Sequence, residues 1–541
     1  MKKIFLLLTI TLLTINAYCQ MGEWTWMAGT DTLNSAGTYG TQGIFAPANT
    51  PPALYEAAQW TDHNGHFWIF GGLNYGDLWQ FDPAINQWAW IKGPGVPGQA
   101  GIYGTLNIAS PSNNPGGRSF GSMTFVDTDD NLWLFGGYGS DIISNAGFLN
   151  DLWMYNITTN EWTWESGSNN VGQSGIYGTL GVADPANIPG GRCESNASWT
   201  DSHNNLWLFG GQGDNVGESE SDLWKYSIAN NEWTWMSGPN STNNPAVYGT
   251  KGVEAPGNIP SGRWCYSVWK AMNDDLWLFG GWEWNNGASK NDMWRYNMAT
   301  GNWTWMSGTD LSNDFGGISG IQCVPDTENI PSSRAENRAC WTMGCDNFET
   351  FGGSPTLGGY LHNDLWNYSV STNKWTWMSG TMNQNDGGNY GTILISSPTN
   401  RPPARIGSDG FKDNNGNIWL FGGLVQSSYF NDMWRFVPDT TCPEIVPCNF
   451  SESINQKTIP KDNLSIYPNP TSGTFTLSYN SQLPILNSQL KIYDVLGQQV
   501  YTQAITNPNK TTINVSQLSN GVYFYQLINN TETYRGKFVK E

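Results

Sequence analysis

The sequence predicts an all-β chain: a ring of six four-stranded units closed by its own first strand, with a smaller β module behind it. Three observations carry that expectation. A short apolar run ending in a glycine pair, as in Asn131-Leu132-Trp133-Leu134-Phe135-Gly136-Gly137, is written six times, the other pairs ending at Gly72, Gly211, Gly281, Gly353 and Gly423. Each pair is followed by Asp-Leu-Trp or Asp-Met-Trp, such as Asp151-Leu152-Trp153, Asp222-Leu223-Trp224 and Asp292-Met293-Trp294. A Trp-x-Trp mark stands at 24–26, 88–90, 162–164, 233–235, 303–305 and 375–377, at intervals of 64, 74, 71, 70 and 72 residues. Self-similarity at a near-fixed period marks a repeat architecture.

Each unit reads as four short strands. Cys193 to Thr200 is the first, turning through Asp201-Ser202-His203-Asn204-Asn205 into Leu-Trp-Leu-Phe, which the glycines stop. Asp222-Leu223-Trp224-Lys225-Tyr226 is the third and Glu232-Trp233-Thr234-Trp235 the fourth, joined by an Asn-rich turn. Such units repeated radially form the blades of a propeller. Trp24-Thr25-Trp26 precedes any glycine pair, while the sixth pair is followed by Trp434 and no further Trp-Thr-Trp. The first strand is therefore expected to complete the last blade, leaving no free edge. Between units run connectors of constant length, 28 residues from Trp90 to Arg118, Trp164 to Arg192, Trp235 to Arg263 and Trp377 to Arg405, and 29 from Trp305 to Arg334. They repeat Tyr-Gly-Thr, as at Tyr103-Gly104-Thr105, so they are read as ordered, packed loops.

The glycine pairs, the aromatics Tyr155 and Tyr226, and the tryptophans Trp162 and Trp233 resemble the Kelch family in its galactose-oxidase-like branch, across residues 20–440. The resemblance implies a six-bladed Kelch-type β-propeller and says little about activity, because one fold hosts many functions.

Met1 to Cys19, with Lys2-Lys3, an apolar core from Ile4 to Ile15 and Ala17-Tyr18-Cys19, has the form of a secretory signal peptide (residues 1–19). No later stretch is long and apolar enough to span a membrane. The net charge of −20 argues against nucleic acid as partner. Cys442 and Cys448 form the expected disulfide in an exported chain, and the pairing of Cys193, Cys265, Cys323, Cys340 and Cys345 is open. Residues 441–461 read as a linker. Residues 462–541 read as a small β-sandwich carrying Ile466-Tyr467-Pro468-Asn469-Pro470-Thr471-Ser472-Gly473, Leu490-Lys491-Ile492-Tyr493-Asp494-Val495-Leu496-Gly497, Asn520-Gly521-Val522-Tyr523-Phe524-Tyr525 and Gly536-Lys537-Phe538-Val539-Lys540. That module resembles the C-terminal sorting domain of type IX secretion cargo. The resemblance implies recognition by the type IX machinery and release or attachment at the cell surface.

Chemistry is sparse. The four histidines, His63, His66, His203 and His362, are not expected to converge, so a copper oxidase site is excluded; no metal site and no cofactor is expected. Asp127-Thr128-Asp129-Asp130 and its relatives are read as turns rather than calcium loops. Two features remain. Arg118, Arg192, Arg263, Arg334 and Arg405 each open an inner strand, and are read either as grips for a carboxylate-bearing sugar or as partners of the aspartate that opens the third strand. Of 30 tryptophans, 27 occupy repeat positions; Trp264, Trp282 and Trp284 do not, and all three fall at one rim of the fourth unit. With Arg263 and Glu283 they make a candidate ligand surface for a glycan or protein. The preferred reading is a secreted or surface-displayed binding module. A sugar epimerase or mutarotase would need an acid and a base from Glu194, Glu218, Glu220, Glu283 and Glu336, and a structural surface-layer component is the third reading.

Overall fold

The computed structural model describes residues 22–195, 197–213, 217–314, 316–344, 346–357, 359–438, 464–479, 489–493, 499–505, 510–528 and 533–540. The expected signal peptide (1–19), the linker (441–461), the Cys442–Cys448 disulfide and Cys345 lie outside the described residues. The chain divides into two compact units, Met1–Pro447 and Cys448–Glu541.

Among the described residues the first unit forms six antiparallel sheets of four or five strands, an arrangement consistent with a β-propeller, and two two-stranded ribbons, Trp282–Glu283 with Ala288–Ser289 and Leu424–Val425 with Ser428–Tyr429. The third sheet is typical: Ser198–Thr200, Asn205–Gln212, Ser219–Ser227 and Glu232–Ser237, paired in chain order. The sixth departs in the way the unmatched Trp-Thr-Trp requires. Its outermost strand is Gly22–Ala28, paired antiparallel with Met433–Pro438, so that Trp24 faces Phe436 and Trp26 faces Trp434.

Neighbouring sheets share apolar clusters in a closed sequence. Trp60, Phe70 and Trp162 join the first and second sheets, and Phe135, Leu208 and Trp233 the second and third. Phe209, Leu278 and Trp303 join the third and fourth, and Phe279, Phe348 and Trp375 the fourth and fifth. Phe351, Leu420 and Trp24 join the fifth and sixth, and Phe67, Trp419 and Trp88 close the cycle. Trp24 therefore holds the position that Trp162 and Trp233 hold elsewhere. All three are at most 1 % exposed.

The glycine pairs bring the backbones of neighbouring sheets into hydrogen-bond contact. The N–H of Gly137, Gly211, Gly281 and Gly353 donates to the carbonyl of the next arginine (Arg192, Arg263, Arg334, Arg405) at 2.8–3.2 Å, and Gly423 donates to Leu54 at 2.9 Å. A Cβ on Gly136 would lie 2.6 Å from the Arg192 carbonyl oxygen, and its φ is +64°. Any side chain would break that contact.

The aspartate turns are occupied. Asp127 accepts from the Asp129 and Asn131 N–H groups, both at 2.9 Å, and from the Trp133 indole at 2.8 Å. Asp413 does the same for Asn415, Asn417 and Trp419. These contacts tie each turn to the strand that follows it.

The second unit contains two antiparallel sheets, Leu464–Tyr467 with Thr474–Tyr479 and Lys510–Asn514, and Gln489–Tyr493 with Gln499–Ala504, Gly521–Ile528 and Thr533–Lys540. Phe475, Leu477 and Ile513 from one sheet and Leu490, Ile492, Leu527 and Phe538 from the other share one core.

Candidate functional site

Each connector enters its sheet through a residue two positions beyond the arginine, or beyond Leu54 in the first sheet. These six residues, Glu56, Phe120, Glu194, Cys265, Glu336 and Gly407, all adopt left-handed backbone, with φ from 50° to 60°. Five are not glycine, so the conformation carries a strain of about 1–3 kcal/mol each that the surroundings must hold. They do so through a closed relay. Glu56 N–H donates to Gly407, Gly407 to Glu336, Glu336 to Cys265, Cys265 to Glu194 and Glu194 to Phe120, at 2.8–3.0 Å, and Gly121 returns to Glu56 at 3.2 Å. The sixth position has no room for a side chain, because a Cβ on Gly407 would lie 2.2 Å from the Tyr55 ring.

The relay gathers chemistry. One ligand atom each from Glu56, Glu194, Cys265 and Glu336 lies within 4.8 Å of the others. All four residues are buried, at 1 %, 6 %, 1 % and 6 % exposure. The Cys265 thiol points to Glu56 Oε1 at 3.8 Å, the Tyr55 hydroxyl donates to Glu336 Oε2, and Arg338 Nη1 stands 3.8 Å from Glu56 Oε1. Burial raises the pKa of Glu56 and Glu194 well above the carboxylate range, and repulsion from Glu336 adds to it. Burial likewise pushes the Cys265 and Cys193 thiols up. Asp409, opening the first strand of the sixth sheet, is pushed up to about 8 by burial against the opposing pull of Arg338. Glu349 is also raised to about 8 by burial, with Lys412 opposing.

The sequence reading named Glu194 and Glu336 among five acids without distinguishing them, passed over Glu56, and took Cys265 as structural. The distinguishing signal was present: all four stand two residues beyond the same repeat position. Glu220 lies instead near the start of the third strand of the third sheet and Glu218 just before it, outside this cluster. No histidine joins it: His63, His66 and His203 sit in turns between first and second strands, and His362 follows the fifth glycine pair.

The five arginines are committed to aspartates. Arg118–Asp151, Arg192–Asp222, Arg263–Asp292, Arg334–Asp364 and Arg405–Asp432 pair at 2.5–2.9 Å, with both partners at most 1 % exposed. The geometry suits a planar fork, Arg263 using Nη1 and Nη2 on the two Asp292 oxygens at 2.6 and 2.9 Å. Burial alone would raise the Asp292 pKa, but the Arg263 guanidinium overrides it and holds the carboxylate low. No guanidinium of this set presents a free face to a ligand. The first sheet, which has Leu54 instead, satisfies Asp77 with the Tyr39 hydroxyl and the Gly95 N–H, both at 2.7 Å.

The three extra tryptophans separate. Trp264 is 4 % exposed and packs on Trp282 with ring centroids 6.4 Å apart, while Trp284 is 43 % exposed. Trp264 therefore belongs to the interior, correcting its expected place on the rim, and its backbone bridges to that of Trp282. Glu283 is also buried, beside Lys290 at 3.4 Å and hydrogen-bonded to Ser261 and Asn286. Around this pair lies a cavity of about 210 Å³ lined by Asn244, Tyr248, Ser261, Glu283, Asn286 and Lys290 among others. Trp284 stands next to it in the chain.

The tail is the part with a recognised family. Residues 465–541 match the model described as a secretion system C-terminal sorting domain. This segment is a sorting domain. Its presence supports export by the type IX route to the surface or the medium, and no described helix is long and apolar enough to cross a membrane. Among curated proteins no sequence is significantly similar to the chain. Three solved structures are distantly similar. YjhT is 13 % identical at a TM-score of 0.45, over 71 % of this chain and 95 % of that one. A fungal alcohol oxidase of the AA5 family, solved with copper, is 10 % identical at 0.41, over 92 % and 100 %. A structural genomics protein of unknown function from Bacteroides thetaiotaomicron is 8 % identical at 0.39, over 77 % and 76 %. At these scores they carry no argument about activity.

Proposed function

We propose that the chain is an exported glycan-binding protein. In this reading the six sheets are the blades of a Kelch-type propeller closed by the N-terminal strand, residues 1–19 are the signal peptide, and a C-terminal β-sandwich sorts the product. The observation that carries the binding reading is the cavity of about 210 Å³ at the fourth sheet, with the exposed Trp284 standing in the chain between its lining residues Glu283 and Asn285. An open indole supplies a stacking platform for a sugar ring, and Asn244, Asn286 and Ser261 supply the hydrogen-bonding groups that fix its hydroxyls. Arg263 then supports the cavity from behind, while Glu283 lines it, held by Lys290 and Ser261.

The test is a glycan array probed with the full chain, followed by titration of any hit against wild type and Trp284→Ala. Loss of the ring weakens binding by about 1–3 kcal/mol, or roughly 5- to 150-fold. Failure to bind any glycan, or a hit whose affinity Trp284→Ala leaves unchanged, sinks the assignment.

A further inference from the structure

Glu56, Glu194, Cys265 and Glu336 come from four different sheets, the first, third, fourth and fifth, and meet inside the relay of left-handed turns. Fully ionised they would carry four negative charges, against which the structure sets one guanidinium, that of Arg338. Four less one leaves three uncompensated charges in a buried place, which no fold tolerates. Protons or a cation must make up the difference.

Two observations favour the cation. First, Oε2 of Glu56 and Oε2 of Glu194 are buried with no hydrogen-bond partner, on residues at least nine-tenths buried. A bound cation would give both oxygens a partner at once, whereas protons alone would have to be shared between neighbouring carboxyls. Second, the donor set is three carboxylates and one thiol. Calcium and magnesium take oxygen ligands, whereas sulfur with carboxylate oxygen in a set of four suits a borderline-soft ion. The spacing is close to what such an ion needs. A tetrahedral centre with oxygen at about 2.1 Å and sulfur at about 2.3 Å sets its ligand atoms about 3.4–3.6 Å apart. Cys265 Sγ to Glu56 Oε1 is already 3.8 Å, and the four atoms need contract from within 4.8 Å.

We propose that Glu56, Glu194, Cys265 and Glu336 bind one divalent cation of the zinc class, a closed four-ligand site that ties four of the six sheets together at the centre of the ring. The assignment is independent of the glycan reading, which concerns a different cavity. The site is structural in kind, because all four positions are filled by protein. The cation's two charges and the Arg338 guanidinium beside Glu56 offset three of the four negative charges, and one of the carboxyls keeps its proton.

The experiment strips the full chain of metal with chelator under denaturant, refolds it with or without zinc chloride, and measures bound metal and melting temperature. A parallel refolding with cobalt(II) reads ligation directly, since a thiolate on cobalt gives a near-ultraviolet charge-transfer band. The expected result is one equivalent of zinc per chain, a higher melting temperature, and the cobalt–thiolate band. Cys265→Ser removes the band, and both Cys265→Ser and the near-isosteric Glu194→Gln lower zinc affinity at least about 10-fold. Cys340→Ser, whose thiol contacts the Val268 carbonyl at 3.2 Å, keeps band and affinity. Refolded wild type with no stoichiometric zinc would mean that the carboxyls hold protons only. A band that survives Cys265→Ser would place the metal elsewhere. Either result overturns the proposal.

Discussion

Replacing Arg263 with leucine puts into the fourth sheet what the first sheet has at Leu54. The buried carboxylate of Asp292 would lose both guanidinium contacts, and the carbonyls of Gly280 and Ser261 would lose theirs at 3.0 and 3.3 Å. Asp292 keeps only the Tyr248 hydroxyl and the Trp294 indole, at 2.9 and 2.8 Å. Removing one partner of a buried pair costs about 3–5 kcal/mol, chiefly because the other charge is left uncompensated. Over Gly22–Pro438, at about 2.1 cal/mol/K of unfolding entropy per residue, the slope is roughly 0.9 kcal/mol/K, so the melting temperature should fall by about 3–6 °C. Adding Asp292→Asn removes the stranded charge and should return about half of that loss. The assay is calorimetry of the full chain, following the transition of the larger unit, with binding of any glycan hit measured alongside. If Arg263→Leu melts within about 1 °C of wild type, or the second change brings no recovery, the pair is not the clamp described here. A variant that melts normally but fails to bind would restore Arg263 to the ligand surface.

Three other outcomes follow. Trp233→Ala empties a fully buried indole site and should cost about 3–5 kcal/mol in urea unfolding, whereas Trp284→Ala should change stability by less than about 0.5 kcal/mol; equal losses would make Trp284 part of the core. A chain ending before Leu464 should fold and stay in the periplasm, and fractionation that finds it outside the cell as usual refutes the sorting role. Asp409 and Glu349 have folded pKa values of about 8, raised from the usual carboxylate range. Their neutral forms are favoured in the fold, so the stability they contribute is complete in acid and is lost as pH climbs toward and through about 8. The melting temperature should therefore decline between about pH 5 and pH 8.5, and Asp409→Asn should flatten the decline; an unchanged slope removes Asp409 as a source.

The repeat was legible because hydrophobic burial and backbone geometry demand the same residues six times. Trp133, the glycine pair and Asp151-Leu152-Trp153 each meet a requirement that recurs in every sheet. The closing strand was legible by subtraction, from one Trp-Thr-Trp too many at one end and one too few at the other. The central cluster was hidden for the opposite reason. Its six positions share a backbone conformation but hold Glu, Phe, Glu, Cys, Glu and Gly, so the three glutamates stand out only once the positions are aligned by the preceding arginine or Leu54. Trp264 and Trp284 looked alike in sequence because surplus over the repeat says nothing of burial; the packing of Trp264 on Trp282 decides it. Glu283 and Lys290 sit three-dimensionally beside each other through a loop whose course the sequence does not dictate.

Because one strand of the sixth sheet comes from the start of the chain and its partner from more than 400 residues later, that sheet stays incomplete until the chain has been made that far. Only when Met433–Pro438 has emerged does Gly22–Ala28 find its neighbour. The sorting domain begins a short distance later in the same chain. A product broken off before closure is thus also a product without its export tag. Sequence order thus ties possession of the sorting domain to a chain that already holds every strand of the sixth sheet.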